Sequence, residues 1–294
     1  MRISTSFFRP ENLCELRDAI SVFDGQIQYI AGGTDLVLNL EKTSPDLLID
    51  VSRLPELSYI NVTGSGVNIG AATTFNMINS HPDLPRILSA VIDAGAQIGS
   101  KQIRNRATLG GNIASAVPGG DMLPVLNCLD CEIDVLRKTG DIEKIAFNQI
   151  IRAQGATYLA NGDLLTNVHF PLRSVENRVS AFAKIGPRET LTIARLNASV
   201  AATYDAATNW VSDITIVLGA IGPKPHRLWE ANAFLSNRPF DEHFVQDFIA
   251  ALENGIDHAI QGRASHPFKR SVVKGLSRDL LQSLVGPTVS EEAI

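Results

Sequence analysis

The chain has 294 residues, of which 45% are hydrophobic and 19% charged, so it is long enough for two domains with ordinary buried cores. A net charge of −5 with both signs interspersed leaves no basic stripe, which argues against nucleic acid as a partner. No apolar run is long enough to span a membrane, and the stretch MRISTSFFRPENL lacks the apolar core of a signal peptide, so a cytoplasmic location is predicted.

The first elements predict a small βαβ-like unit. Apolar residues at three- and four-residue spacing predict a helix over 11–23, and the apolar runs at 26–30 and 47–51 predict strands. A short helix ending at about Leu40 connects the two strands. A connection of this kind places ligands at the carboxyl end of the first strand.

The sequence AGGTDL stands at that strand end, between the strand and the short helix. Gly32 and Gly33 predict a tight turn, and Thr34 or Asp35 is the expected N-cap. Free N–H groups at a helix N-terminus, together with the helix dipole, favour an anion such as phosphate. The motif is neither G-x-G-x-x-G nor a P-loop, so neither standard nucleotide pattern applies.

The next region predicts a second, α+β lobe with antiparallel strands. Strands are expected at 59–62, 67–71, 132–136, 143–147 and 164–170. A short helix capped by Thr73 and Thr74, a longer one over 85–98 and a buried one over 125–129 complete the lobe. A ligand is expected between the two lobes.

Residues 98–127 carry a second glycine pair and are expected to wrap a ligand rather than fill a core. Gly110 and Gly111 are compatible with positive φ and a nest of N–H groups around phosphate, or with a tight turn between two strands. Thr108 and Asn112 add side-chain hydrogen bonds. Asp121, beyond a further flexible run, is placed to accept from sugar hydroxyls. Two glycine pairs suit two phosphates.

Three cysteines, an odd and low number, argue against a disulfide framework. Cys128 and Cys131 form a C-x-x-C pair, which is typical of redox motifs or half a zinc site, but no second Cys/His pair lies nearby. We therefore expect both to be small buried residues, Cys14 to face the core from the first helix, and no metal site.

After a polar boundary at 171–178, the chain predicts three strands followed by three helices. The strands are expected at 181–185, 194–204 and 211–219. The helices are expected at about 228–235, 242–260 and 267–285. This order is typical of an α+β layer pair.

The segments AGGTDL (31–36), KQIRNRATLGGNIASAVPGGD (101–121) and LPVLNCLD (123–130) resemble the flavin-binding subunit, or middle domain, of the molybdenum hydroxylases. This family includes xanthine dehydrogenase, aldehyde oxidoreductase and carbon monoxide dehydrogenase, and the resemblance extends to about residue 280. It implies an α+β fold: a two-lobed PCMH-type (vanillyl-alcohol-oxidase-like) FAD-binding domain over 1–173, with lobes of about 1–55 and 56–173. A small α+β C-terminal domain over 178–285, with a three-stranded antiparallel sheet and helices, is expected to follow.

The resemblance implies FAD, with both glycine motifs lining its diphosphate. Neither motif contains a His or Cys, so we expect the FAD to be non-covalent. Ile98 and Leu165 fall where relatives place side chains around the isoalloxazine ring and adenine, and Lys184, or Ala183 after a one-residue shift, matches a cofactor-proximal lysine. Lys101, Arg104 and Arg106 could pair with phosphate or partner carboxylates or be solvated, and the sequence leaves this open. The residues predicted to bind the cofactor are Tyr29, Ile30, Ala31, Gly32, Gly33, Thr34, Asp35, Leu36, Ile98, Thr108, Gly110, Gly111, Asn112, Ser115, Asp121, Leu165 and Lys184.

The resemblance implies an electron-transfer subunit, and the sequence agrees with it, since no nucleophile elbow, metal cluster or carboxylate pair stands out for chemistry on a substrate. Substrate would be oxidised at molybdopterin on a large partner subunit, and electrons would cross two [2Fe–2S] clusters on a small one to FAD, then to NAD⁺ or another acceptor. A xanthine dehydrogenase-like complex, a dimer of heterotrimers, is the first expectation. The alternatives are a stand-alone FAD-dependent oxidoreductase with its own substrate and a flavin-free assembly factor.

Overall fold

A computed structural model describes residues 5–172, 177–188 and 191–285. The chain forms two compact units, and neither is one continuous segment. Unit one comprises Met1–His81, Gly99–Ala116 and Asp130–Leu172. Unit two comprises Pro82–Ile98, Val117–Leu129 and Arg173–Ile294.

The predicted helices and strands occur in the predicted order, and the structure adds several short elements that were not predicted. The helices are α1 (Leu13–Val22), α2 (Leu36–Thr43), α3 (Phe75–Asn79), α4 (Ser89–Ala96), α5 (Lys101–Arg104), α6 (Leu109–Ser115), α7 (Met122–Cys128), α8 (Phe147–Ile150), α9 (Trp229–Leu235), α10 (Glu242–Ile260) and α11 (His266–Val285). The strands are β1 (Ser6–Phe8), β2 (Ile27–Ile30), β3 (Leu47–Asp50), β4 (Ile60–Val62), β5 (Gly66–Gly70), β6 (Glu132–Leu136), β7 (Ile142–Ala146), β8 (Ile151–Ala153), β9 (Ala156–Thr157), β10 (Leu164–Pro171), β11 (Arg178–Ile185), β12 (Leu196–Asp205), β13 (Trp210–Gly219), β14 (His226–Arg227) and β15 (Arg238–Pro239).

Unit one contains two sheets and a short hairpin. The first sheet has the order β1-β3-β2, and both pairings are parallel, so β2, α2 and β3 form the predicted βαβ arrangement. The second sheet has the order β4-β5-β10-β6-β7 with antiparallel pairings throughout. The hairpin β8–β9 stands apart from both.

Helix α1 covers the parallel sheet with an apolar stripe. Asn12 caps it by accepting a hydrogen bond from the Glu15 N–H at 2.9 Å, which satisfies a donor that the helix leaves unpaired. Leu16 and Ile20, one turn apart, are fully buried with Ile49 of β3. Burial of that stripe fixes α1 on the sheet that carries the first glycine turn.

Unit two is built on an antiparallel sheet in which β11, β12 and β13 are the long strands and β14 and β15 add short edges. One face is apolar: alternate residues such as Ala181, Val200 and Ile216 join the core beneath α10 and α11. The other face carries polar residues that are buried nonetheless. Ser180 illustrates it, because its Oγ accepts from the Ala90 N–H at 3.0 Å and donates to the Ile87 carbonyl at 2.5 Å.

Several local expectations were wrong. The helix expected over 85–98 is a 3-10 turn, Arg86–Leu88, followed by the shorter α4. Residues 98–127 form α5, α6 and most of α7, with Leu109 and Ile113 fully buried, so this stretch contributes to the core. Cys14 is exposed rather than core-facing.

Cys128 and Cys131 are buried, as predicted, and they belong to different units. The Cys128 thiol donates to the Thr215 carbonyl at 3.3 Å. Burial raises the pKa of the Cys131 thiol well above its usual range, so the group stays protonated at neutral pH. Both cysteines therefore behave as small core residues.

The division of the chain at 171–178 stays a prediction. Residues 173–176 lie outside the described residues, and the compact units are interleaved along the chain rather than consecutive.

We expect Phe248→Ala to lower the free energy of unfolding by about 3–5 kcal/mol, because it leaves a cavity in the core of unit two. Phe248 is fully buried and stacks on Phe244. Phe234→Ala is the matched control, because this side chain is 59% exposed, and it should change the free energy by less than about 1 kcal/mol. Equal losses in denaturant titrations of the two variants would contradict this assignment of the core.

Candidate functional site

The turn after β2 presents free backbone donors at the start of α2. Gly33 has φ +70°, a conformation that glycine adopts without strain, and its carbonyl accepts from Val37 to begin the helix. Across the described residues, the N–H groups of Gly32, Gly33, Thr34 and Asp35 donate to no acceptor. Donors of this kind, with the helix dipole behind them, fit a phosphate group.

Asp35 is the N-cap of α2 but makes no capping hydrogen bond. Its carboxylate instead accepts from the Ser115 hydroxyl at 3.0 Å. Ser115 ends α6, so two residues predicted for the cofactor site connect the first glycine motif to the second.

Gly32 makes a close backbone contact between the two motifs. A Cβ at this position would lie 2.0 Å from the carbonyl oxygen of Arg106, just before α6. Because that oxygen belongs to the backbone, it cannot rotate away. Only glycine lets β2 and the segment before α6 approach to this distance.

The second glycine pair does not form a nest of free N–H groups, and this interpretation was wrong. Gly110 and Gly111 lie in the first turn of α6, and neither has positive φ. The Gly110 N–H donates to the Ala71 carbonyl at 2.8 Å, and the Gly111 N–H donates to the hydroxyl of Thr108, the N-cap, at 3.1 Å. A tertiary contact with Ala71, rather than a turn, explains the glycine at 110, where a Cβ would lie 2.7 Å from the Cβ of Ala71.

A cavity of about 290 Å³ lies between β2, α6 and the chain around β9 and β10, entirely within unit one. Gly111 faces open space there, since a Cβ would meet only the Thr108 hydroxyl, at 2.9 Å. Asp163 also lines it. The predicted site residues on its wall are Tyr29, Ala31, Gly110, Gly111 and Leu165.

These features fit the FAD that the resemblance implies. The volume is at the lower end of the roughly 300–1,000 Å³ of ligand pockets, so it suits one end of a dinucleotide rather than the whole molecule. The Oδ1 atom of Asn112 in α6 is buried with no hydrogen-bond partner among the described residues, and such atoms are rare without a ligand or water. The turn after β2 would hold the diphosphate, and the cavity would hold one end of the cofactor.

Three predicted site residues, Ile98, Asp121 and Lys184, belong to unit two. Asp121 and Lys184 form a buried ion pair, with 2.6 Å between Nζ and Oδ2. Lys184 also donates to the carbonyls of Gln97 and Thr192, so all three of its protons are engaged. Direct contact of Lys184 with FAD stays a prediction.

Asn197 was missed by the sequence analysis and completes this cluster. Its amide donates to Asp121 Oδ1 at 3.2 Å, and Gly219 leaves room for its side chain. Burial raises the pKa of the Asp121 carboxyl, while Lys184 and Asn197 oppose that rise. The only signal for Asn197 in the sequence was its place on the polar face of β12. That place indicates a buried polar residue only when the structure shows that α7 covers this face.

The three cations of the second motif differ in surroundings. Arg104 donates from Nη1 to the Gly99 carbonyl at 2.9 Å, which stabilises the start of α5. Lys101 and Arg106 are exposed, and Arg106 contributes its carbonyl to the contact with Gly32.

Among the residues that the structure describes, no helix has the length and apolar character that a membrane crossing requires. The same residues contain no group of three or more His, Cys, Asp or Glu side chains placed to hold a metal ion.

Gly32→Ala should destabilise unit one. It should also reduce the FAD content of the purified protein by at least about tenfold. The added Cβ would force β2 and the Arg106 carbonyl apart, and it would displace the donors that follow. Gly64→Ala is the control, because a Cβ there meets nothing within 4 Å. Full FAD content in Gly32→Ala, measured from the flavin absorbance, would contradict the contact.

Lys184→Met should lower the free energy of unfolding by about 3–5 kcal/mol, because it leaves the Asp121 carboxylate buried without its partner. Lys144→Met, which breaks an exposed pair with Glu132, should cost less than about 1 kcal/mol. In a double-mutant cycle, Lys184→Met with Asp121→Asn should cost less than the sum of the single changes. Additive losses would show that the two side chains are not coupled.

Comparison with known sequences identifies two family models on the chain. "FAD binding domain in molybdopterin dehydrogenase" matches residues 3–173, and "CO dehydrogenase flavoprotein C-terminal domain" matches residues 181–284. The nicotinate dehydrogenase FAD-subunit of Eubacterium barkeri is 29% identical, covering 95% of this chain and 97% of its own. The glyceraldehyde dehydrogenase medium chain of Sulfolobus acidocaldarius is 28% identical (92% and 95%), and the xanthine dehydrogenase FAD-binding subunit of Escherichia coli O157:H7 is 25% identical (92% and 93%).

The fold is that of a solved structure of carbon monoxide dehydrogenase from Oligotropha carboxidovorans. The TM-score is 0.84 over 97% of this chain and 99% of that chain, at 21% identity. This confirms the predicted α+β architecture with its C-terminal antiparallel sheet and helices. The first family model covers more than half of the chain, and its residues include both glycine motifs. The chain therefore belongs to the family of FAD-binding subunits and domains of the molybdopterin dehydrogenases, the molybdenum hydroxylases, and FAD is its cofactor.

Proposed function

We propose that this chain is the FAD-carrying electron-transfer subunit of a multi-subunit molybdenum hydroxylase. The supporting observation is that the match to the FAD-subunit of nicotinate dehydrogenase runs through both the cofactor domain and the C-terminal domain, over 95% of the chain. Molybdopterin and [2Fe–2S] clusters would belong to a large and a small partner subunit. A dimer of heterotrimers in the cytoplasm is the assembly we expect.

The protein's contribution is to bind and orient the cofactor. FAD, when bound, supplies the change from one- to two-electron transfer. The free N–H groups at Gly32–Asp35 would hold its diphosphate, and the cavity lined by Tyr29 and Gly111 would enclose one end. In unit two, the buried ion pair of Asp121 and Lys184 forms a polar cluster in which the two charges offset each other.

The reducing substrate is selected on the large partner, so the residues of this chain do not identify it. Our first expectation is xanthine or a related purine, with NAD⁺ as the acceptor. The names of the relatives make nicotinate and an aldehyde equal candidates.

The decisive experiment is to purify the chain with the partners it retains and to mix the complex anaerobically with xanthine, nicotinate or glyceraldehyde. One of these should bleach the flavin absorbance in the complex and leave the flavin of the isolated chain oxidised. If a substrate reduced the flavin of the isolated chain, without any partner, that result would instead support a stand-alone oxidoreductase.

Gly111→Val separates the electron exit from substrate oxidation. The branched side chain would fill the cavity and press on the Thr108 hydroxyl, so the complex should lose FAD and NAD⁺ reduction. Substrate oxidation with an artificial acceptor should persist, because it would not depend on this chain. Gly275→Val, at a position with open space around it, is the control. Full FAD content in Gly111→Val would contradict the placement of the cofactor.

A further inference from the structure

The segment 157–163, which connects β9 to β10, forms one wall of the cavity in unit one. Thr157, Leu159, Ala160, Gly162 and Asp163 all line it. Beyond Thr157, which ends β9, the wall is not part of a sheet, so its position depends on the contacts that it makes with its neighbours.

Two side chains attach this wall to β2. Asn161 makes a pair of hydrogen bonds: its Oδ1 accepts from the Ile27 N–H at 2.8 Å, and its Nδ2 donates to the Gly25 carbonyl at 2.9 Å. From the other side, the Tyr29 hydroxyl donates to the Gly162 carbonyl at 2.7 Å. The wall is therefore held at the start of β2, through Gly25 and Ile27, and again at Tyr29, the third residue of that strand.

Asp163 stabilises the bend internally. Its carboxylate accepts from the Ala160 N–H at 2.9 Å and pairs with Arg137. Gly162, with φ +87°, allows the chain to reverse there. The segment is thus a preformed loop, and Asn161 sets where that loop lies relative to β2.

We propose that Asn161 is a positioning residue, which fixes this wall against β2 so that the cavity is already shaped for the adenosine end of FAD. The titratable groups that line the cavity, Tyr29 and Asp163, are both engaged in hydrogen bonds, so neither is available to exchange a proton with the cofactor. Such a site suits an end of the cofactor that only binds, whereas the isoalloxazine ring must exchange electrons with partners. The inference rests on FAD as the cofactor and does not need the partner subunits.

A preformed wall increases affinity, because the observed dissociation constant rises as the binding-competent fraction falls. Asn161 is exposed, so its removal leaves no cavity in the core. Asn161→Ala should therefore loosen the wall while the protein stays folded.

The test uses the full chain after removal of FAD, titrated separately with FAD, ADP and FMN. Asn161→Ala should weaken FAD and ADP by about tenfold, the effect of losing about two hydrogen bonds, and should leave FMN unchanged. Asn161→Asp keeps the acceptor for the Ile27 N–H but loses the donor to the Gly25 carbonyl, so its affinities for FAD and ADP should lie between those of the unchanged chain and Asn161→Ala. Asn61→Ala, at an exposed position on the edge strand β4, is the matched control and should bind all three as the unchanged chain does.

Hydrogen exchange supplies a reading that does not depend on the cofactor. In the FAD-free protein, Asn161→Ala should speed exchange of the Ile27 amide, which has lost its acceptor, without changing amides of α10. Tyr29→Phe, which removes the other attachment, should reproduce the weakening of ADP.

Unchanged FAD affinity in Asn161→Ala would overturn the proposal. Equal weakening of ADP and FMN would also overturn it, and so would a loss confined to FMN. A chain that binds FAD in this manner but associates with no molybdenum-containing partner would refute the proposed function and leave the function of Asn161 standing.

Discussion

The approach of the Gly32 Cα to the Arg106 carbonyl is the contact on which the cofactor site depends. It brings together two backbone segments that are far apart in sequence, with no side chain between them. Because of this contact, the free N–H groups after β2 lie beside α6. The hydrogen bond from the Ser115 hydroxyl to the Asp35 carboxylate is a second contact between the same two segments. Two backbone segments in direct contact leave no room for a side chain between them, so this contact requires glycine at position 32.

In the C-terminal sheet, by contrast, side-chain contacts rather than backbone contacts determine which elements pack together. Strands β11, β12 and β13 alternate apolar residues toward α10 and α11 with polar residues on the other face. Several buried polar side chains on that face have partners: the Ser180 hydroxyl bonds with Ala90 in α4 and with Ile87 before it, and Lys184 and Asn197 donate to Asp121. Groups of this kind stabilise a fold only when they are matched, so they specify which helix lies where.

The sequence predicted the parts whose signals are local. The apolar run of β2 followed by Gly-Gly-Thr-Asp identified the first turn, and the alternation in β11 to β13 identified the sheet. The prediction was wrong where a distant neighbour decides the structure. A Gly-Gly pair is typical of a turn, but Gly110 lies in the first turn of α6, where it packs against Ala71. Asn161, a typical turn residue, gave no sign that its amide reaches Gly25 and Ile27.

The interleaving of the two units bears on how the chain is made. Helices α4 and α7 cover β11, β12 and β13 within unit two, yet 49 residues (129–177) separate α7 from the first of these strands. During translation both helices leave the ribosome before the strands that bury them exist. Their apolar sides therefore have no strand partner in unit two until those strands have been synthesised. A nascent chain of this kind completes its second unit only after nearly all of it has been synthesised, and during that delay it is exposed to aggregation and chaperone capture.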